Sequence, residues 1–379
     1  MKRAHLGWLV RSEWFLGVSV ATSVAFLLFR TPLLADLHSG AKLAVVFAWL
    51  FVVILGSALA VVRHAERLAE RLGEPYGTLI LTLSITSIEV VSVSAVMLHG
   101  ANNPTLARDT LFAVTMIILN GMVGLSLLMG GWRHREQHYN LQGANAYLGV
   151  IIPLGIFALV LPNFTASTGG PTMAMSQEMF LALVSVVLYV AFLVLQTRRH
   201  RDYFSSAGAG VEPAIETRRS TPVPATAQHS SVLRHAGLLG AYMIPVVFLA
   251  EKLAPPVDYI VETSHAPLAL AGLTMAVLVA TPEAISAVRA AGANQLQRSV
   301  NIFLGSVLST IGLTIPAVLV IGRVTHHPIT LGLQHTDLLL FLLTLTLCLV
   351  TFSSGRTNVL QGGVHLVLFV AYLFFMFQP

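Results

Sequence analysis

Two glutamates, Glu89 and Glu283, stand near the middle of long apolar stretches, GTLILTLSITSIEVVSVSAVMLHG (77–100) and APLALAGLTMAVLVATPEAISAVRAAG (266–292). A carboxylate at membrane depth costs several kcal/mol on insertion scales, so such residues are rare and mark ion or proton paths. Two at matching places in similar segments point to a duplicated ion site. Around the first, Thr78, Thr82, Thr86 and Glu89 recur at spacings of four, four and three and share a helical face, with Ser87 and Ser92 near its edges. Hydroxyl and carboxylate oxygens are hard ligands of the kind that calcium, sodium or potassium need. The competing reading is that these hydroxyls only bond the preceding helical turn. Around the second, ATPEAISA (280–287) sets Thr281 and Pro282 directly before the carboxylate. Pro282 has no N–H and crowds the carbonyl four residues back, freeing backbone oxygens near Leu278 and Val279. Free carbonyls at membrane depth persist only against protein or a wet cavity, where they can bind a cation.

Elements that hold such groups must cross a bilayer. The chain has 379 residues, 55% of them hydrophobic and 10% charged, with a mean hydropathy of +0.77. A soluble domain would carry roughly 25% charged residues, so this is a polytopic membrane protein. Eleven apolar windows are long enough to span: about 14–34, 41–62, 76–99, 109–131, 146–162, 178–196, 232–253, 266–289, 299–322, 336–352 and 358–377. With the N-terminus inside, only Arg30, Lys42, Arg108, Lys252 and Arg323 of the 22 Lys and Arg fall outside. That bias fits the positive-inside rule and places the C-terminus outside. The first window runs past 20 residues and lacks a small-residue cleavage site, so it reads as a retained helix.

The longest polar stretch, 197–231, is rich in Arg, Ser, Pro, Gly and Ala and reads as a flexible cytoplasmic linker. Aligning the two parts on their glutamates gives an offset of 194. Dropping four residues from the following loop makes it 190, which pairs Arg108 with Arg298 and Asn120 with Thr310. The helices that follow, 120–131 and 301–318, are both rich in small and polar residues. Asn120, Thr310 and the nearby Ser309 and Ser306 offer neutral oxygens beside the carboxylates, or else act as glue between helices. Glu89 falls on the third span and Glu283 on the eighth. Five spans apart means opposite direction, the inverted-repeat pattern of many secondary transporters. The expected organisation is an extra N-terminal helix at 1–35, a first five-helix repeat at 36–196, the linker at 197–231 and a second repeat at 232–379. A stripe of Ala269, Gly272, Ala276, Ala280, Ala284 and Ala287 lets neighbouring helices approach the second glutamate's helix closely.

Two carboxylates in low dielectric do not both stay charged without a cation, so cation and protons compete to neutralise them. That is the chemistry of a proton–cation exchanger. Arg289 sits near the inner end of its span, where it snorkels to the interface rather than neutralising Glu283. Glu66, Glu70 and Glu74 alternate with Arg63, Arg67 and Arg71 and read as a solvated helix with charge pairs along its face. Glu74 is also placed to attract cations to an entrance. Glu251, Asp258 and Glu262 lie near the outer face. His365, on the last span, is a proton relay or a hydrogen-bonded structural residue. The single cysteine, Cys348, excludes an intrachain disulfide or a thiolate metal cluster and reads as a packed thiol. Neither HExxH nor a Gly-x-Ser-x-Gly elbow is present, which speaks against an intramembrane hydrolase. A channel has no need of inverted halves with paired carboxylates.

AERLAERLGEPYGTLILTLSITSIEV (65–90), ATPEAISAVRAAGANQLQRSVNIFLGSVLSTIGLTIPAVL (280–319) and GRTNVLQGGVHLVLFVAYLFF (355–375) resemble the bacterial calcium/proton antiporters of the cation/calcium exchanger superfamily. The resemblance covers nearly the whole chain apart from the linker and termini. It implies an all-α fold of eleven transmembrane helices, one extra helix plus two inverted five-helix repeats, with a central cation site holding Glu89 and Glu283. Many relatives from fungi and plants carry Gly-Asn shortly before each glutamate and His after the second. Here those places hold Ile85-Thr86, Val279-Ala280 and Ala284. Those relatives often have an acidic linker too, whereas this one is mildly basic.

The expectation is alternating-access exchange of Ca²⁺ for protons, without a cofactor and without enzymatic activity, with Na⁺/H⁺ or K⁺/H⁺ exchange at the same residues as the alternative. The ligand candidates are Glu89, Glu283, Thr86, Ser87, Thr281, Asn120, Thr310 and Ser309. The partners are inorganic cations, protons and the lipid bilayer, not nucleic acid, and the oligomeric state stays open. The expected location is a bacterial inner membrane, with the N-terminus cytoplasmic and the C-terminus periplasmic.

Overall fold

Backbone groups in hydrocarbon have no water to bond, so the apolar stretches must close their hydrogen bonds within helices. The structure, a computed structural model, describes residues 13–35, 37–72, 76–99, 104–169, 171–204, 225–263, 266–327 and 329–378. The helices are α1 (Trp14–Leu28), α2 (Gly40–Leu72), α3 (Tyr76–His99), α4 (Leu106–His134), α5 (Leu141–Asn163), α6 (Met175–Arg199), α7 (Ala225–Thr263), α8 (Ala269–Gly292), α9 (Leu296–Val324), α10 (His335–Thr351) and α11 (Val359–Phe377). Among the described residues, eight are long and apolar enough to cross a membrane, and shorter apolar helices occupy 14–28, 82–94 and 335–351. The fold is all-α and polytopic.

Boundaries depart from the sequence reading where polar residues extend a helix or break one. The first window was expected to run to 34, but α1 stops at Leu28, and a separate five-residue helix, Arg30–Leu34, follows. Its counterpart α2 runs ten residues past the predicted end, to Leu72, because His64, Ala65 and Leu68 stay buried on one side of the basic segment. Helix α7 begins at Ala225, inside the stretch read as linker. At the other end of that stretch, Arg201–Phe204 form a 3₁₀ turn whose Phe204 carbonyl accepts from Asn301 Nδ2 at 2.7 Å. Residues 205–224 lie outside the described residues, as do Glu74 and the side chain of Thr78. A two-residue antiparallel ladder, β1 (Gln137–His138) with β2 (Arg356–Thr357), joins the loops after α4 and α10. Nothing in the apolar patterning announces it.

The chain forms two compact units, 1–101 with 223–266 and 102–222 with 267–379. In the first, α2 packs against α7 and α3, and α1 lies against α2 and α7. Ser19 and Ser57 hydroxyls meet at 2.7 Å, and Trp49 Nε1 donates to Thr22 Oγ1 at 3.2 Å, so α1 is held by polar contacts as well as by Phe26 against the Trp49 ring.

The second unit is built on α4, α8 and α9, with α5, α6, α10 and α11 around them. Its apolar core includes Phe303 on Phe352, Tyr147 on Phe192, and Phe112 edge-on to Tyr372. The small-residue stripe behaves as expected: Gly272, Ala276, Ala280 and Ala287 are buried. A Cβ at Gly272 would stand 2.7 Å from the Thr110 amide nitrogen, so glycine lets α8 touch the backbone of α4. Gly272→Ala is therefore expected to push these helices apart and cost about 1–3 kcal/mol, read as a lower unfolding temperature of the detergent-purified protein.

Candidate functional site

The candidate residues fall into two groups, one in each compact unit. In the first unit, Glu89 is 2% exposed and Thr86, one turn earlier on α3, is 5% exposed. The spacing of three puts both on one helical face. The Thr86 hydroxyl has no hydrogen-bond partner among the described residues. Ordinarily a membrane Thr bonds the preceding turn, as Thr110, Thr115 and Thr274 do here. Leaving a buried hydroxyl unsatisfied costs about 1–3 kcal/mol, so Thr86 keeps an oxygen available beside the Glu89 carboxylate. Ser87 does not join them. Its hydroxyl donates to the Leu83 carbonyl at 2.6 Å, and its residue is half-exposed.

In the second unit, Glu283 is 6% exposed on α8, and the Ser306 hydroxyl of α9 donates to its Oε2. Arg289, the basic residue two turns away, is exposed at the helix end, consistent with snorkelling. Helix α8 runs unbroken through Pro282. The proline supplies no amide for the Leu278 carbonyl, and the Thr281 hydroxyl donates to the Val277 carbonyl at 2.5 Å. Thr281 is half-exposed, so its hydroxyl serves its own helix. Ser309 and Thr310 are both buried. Ser309 donates to the Ser306 carbonyl at 2.8 Å, which braces the residue that holds Glu283.

Asn120 and Thr310, paired by the repeat alignment, share an unforeseen feature. Asn120 lies in a π-helical turn, Ile117–Met122, and Thr310 opens another, Thr310–Thr314. Such wide turns concentrate at functional positions. Asn120 is fully buried and heavily engaged. Its Nδ2 donates to Thr344 Oγ1 at 2.8 Å, its Oδ1 meets His365 Nδ1 at 3.3 Å, and His365 Nε2 meets Thr351 Oγ1 at 3.0 Å. All four residues have zero exposure. Thr344 completes the network by donating to the Leu340 carbonyl at 2.7 Å. His365 thus sits within a hydrogen-bonded link among α4, α10 and α11.

Two residues escaped the sequence reading of the site. Ser306 was read as one of several neutral oxygens near Thr310, with no particular tie to Glu283, because in the repeat frame it pairs with Met116, which is not polar. Arg108 was read as part of a basic loop matched by Arg298. Instead it is buried, paired with Asp109 at 2.8 Å, and donates to the Gly332 carbonyl at 3.1 Å. Arg298 is exposed, and the residue after it is Ser299 rather than an aspartate. Among the described residues no cluster of three or more His, Cys, Asp or Glu could hold a resident metal.

This all-α fold, with eight helices long and apolar enough to cross a membrane among the described residues, is that of a multi-pass membrane protein. The sodium/calcium exchanger protein family model matches residues 42–198 and 234–378, and the chain belongs to that family. It is 40% identical over 324 residues to the sodium-potassium/proton antiporter ChaA of Escherichia coli (strain K12), covering 86% of each chain. It is 24% identical over 330 residues to the Ca(2+)/H(+) antiporter ChaA of Bacillus subtilis (strain 168), covering 86% of this chain and 90% of that one. The solved structure of native YfkE superposes with a TM-score of 0.73 at 21% identity, over 96% of this chain and 99% of the other.

Removing the imidazole from the buried network leaves Asn120 Oδ1 and the Thr351 hydroxyl without that partner. His365→Ala is expected to lose about 1–3 kcal/mol of stability, seen as a lower thermal midpoint, with His365→Gln losing less.

Proposed function

We propose that this chain exchanges a cation for protons across the bacterial inner membrane, with Glu89 and Glu283 each taking up cation or proton in alternation. The observation that carries the proposal is chemical. Each carboxylate is buried in a helix of an apolar span, and each has a hydroxyl oxygen at hand: Thr86 one turn away for Glu89, and Ser306 bonded to Glu283. An ionised carboxylate so placed must be neutralised, and a cation and a proton are alternatives for that role.

The cargo is Ca²⁺ in this reading. Carboxylates with neutral hydroxyl oxygens form the hard ligand set that calcium takes, and the Bacillus subtilis relative is named as a Ca(2+)/H(+) antiporter. The second reading is Na⁺ or K⁺ in place of Ca²⁺. It is favoured by the higher identity to the sodium-potassium/proton antiporter and by the absence of Gly-Asn before either glutamate. Thr86 and Ser306 are the first supporting ligands. Ser309 braces Ser306 from behind. Thr310 stays a candidate ligand, whereas Ser87 and Thr281 spend their hydroxyls on their own helices and Asn120 spends its amide on Thr344 and His365. The N-terminus lies on the cytoplasmic side and the C-terminus on the periplasmic side, as the Lys and Arg distribution supports.

Proteoliposomes with an imposed pH gradient test this. Added Ca²⁺ is expected to collapse the gradient in wild type. Glu89→Gln and Glu283→Gln are each expected to lower that flux by more than about tenfold, since a lost charged ligand is worth over 1.4 kcal/mol. Collapse by Na⁺ or K⁺ alone would keep the mechanism and change the cargo. Wild-type flux in both variants would remove the carboxylates from it.

A further inference from the structure

The first compact unit holds a second cluster of titratable groups that cation exchange does not use. Glu13, the residue just before α1, sends Oε2 into a pocket between α2 and α7. There it accepts from Arg63 Nη2 at 2.7 Å and from the Tyr242 hydroxyl at 3.1 Å, and it lies 3.4 Å from His64 Nε2. On its other edge, His64 Nδ1 meets His235 Nδ1 at 3.0 Å. His64 is fully buried and His235 nearly so, with the Tyr242 ring stacked on His64. Three helices thus meet through a carboxylate–imidazole–imidazole chain.

A ring-nitrogen contact of 3.0 Å needs one proton between the two nitrogens, because one must donate and the other accept. Glu13 and His235 address opposite edges of His64, so the three side chains share no common point at which a metal could sit. The arrangement is complete with both rings neutral, His64 donating from Nε2 to Glu13 and accepting at Nδ1 from His235, and it survives one added proton, with His64 then donating from both nitrogens. A further proton on His235 would set two imidazolium ions 3.0 Å apart. The surrounding charges make that worse: Arg63 acts on His64, Arg67, Arg71 and Arg234 act on His235, and Glu13 is the one anion among them. Among the described residues, α3, the other helix packed on α2 and α7, contributes no charge to either ring.

We infer that Glu13, His64 and His235 form a proton-binding latch, which clamps α1 to α2 and α7 when it holds one shared proton and releases α1 when it takes a second. The sign follows from the charges. Release is favoured on acidification through the ordinary histidine range, near pH 6.5, and the clamp is complete above it. Resting on the exchange and orientation proposed above, protons carried inward reach this basic end, so the latch senses the product of transport.

Hydrogen exchange of the purified full chain, read by mass spectrometry and corrected for intrinsic rates, tests the latch without relying on transport. From about pH 7.5 to about pH 5.5, protection across 13–28 and 232–242 is expected to fall by about tenfold or more in wild type. In His235→Gln, whose amide cannot take up a proton in that range, protection is expected to stay flat. Glu13→Gln, which removes the anion, is expected to shift the wild-type transition to higher pH. Protection in wild type that does not change with pH would overturn the proposal, as would the same fall in His235→Gln.

Discussion

An ionised carboxylate cannot rest in hydrocarbon alone, and the architecture around Glu89 and Glu283 follows from that constraint. Under the proposed exchange, it requires that neutralising ions reach each group. It also requires that the oxygens around each carboxylate be polar yet held inside an apolar helix. Thr86 on α3 and Ser306 on α9 meet the second requirement differently. Thr86 leaves its hydroxyl uncommitted, while Ser306 is committed to Glu283 and braced from behind by Ser309. The two carboxylates are therefore supported in different ways.

Burying polar groups costs least where they find partners. The Asn120–His365–Thr351–Thr344 network does this within the second unit, closing an imidazole, an amide and two hydroxyls among three helices. Gly272 contributes from the backbone side by letting α8 approach α4 closely. A partly satisfied network in low dielectric would be worse than an apolar core, which ties the integrity of α4, with its π-turn at Asn120, to side chains contributed by α10 and α11.

Much of this was legible from residue pattern. Apolar windows located the helices, and the two glutamates with their matched surroundings drew attention to α3 and α8. The stripe from Ala269 to Ala287 predicted close packing that Gly272 makes concrete. What escaped depends on tertiary position. Ser306 has a methionine as its repeat partner, so a search for shared polarity passes over it. Arg108 looked like a loop charge because its ion-pair partner is its own neighbour, Asp109. The pairing along its own helix expected for Arg63 gives way to Glu13, fifty residues earlier in the chain, a contact that only the packing of α1 against α2 creates. The π-turns carry no compositional signal, since they arise from how a helix relaxes around its neighbours.

The central claim, that cation and protons compete for the same carboxylates, is tested most directly by equilibrium Ca²⁺ affinity as a function of pH in the detergent-purified protein. If each bound cation displaces protons, the dissociation constant rises by about tenfold per pH unit for each proton displaced as the pH falls. In Glu89→Gln and Glu283→Gln that slope diminishes. An affinity that holds constant across the same pH range, with folded protein and intact binding, would contradict the account.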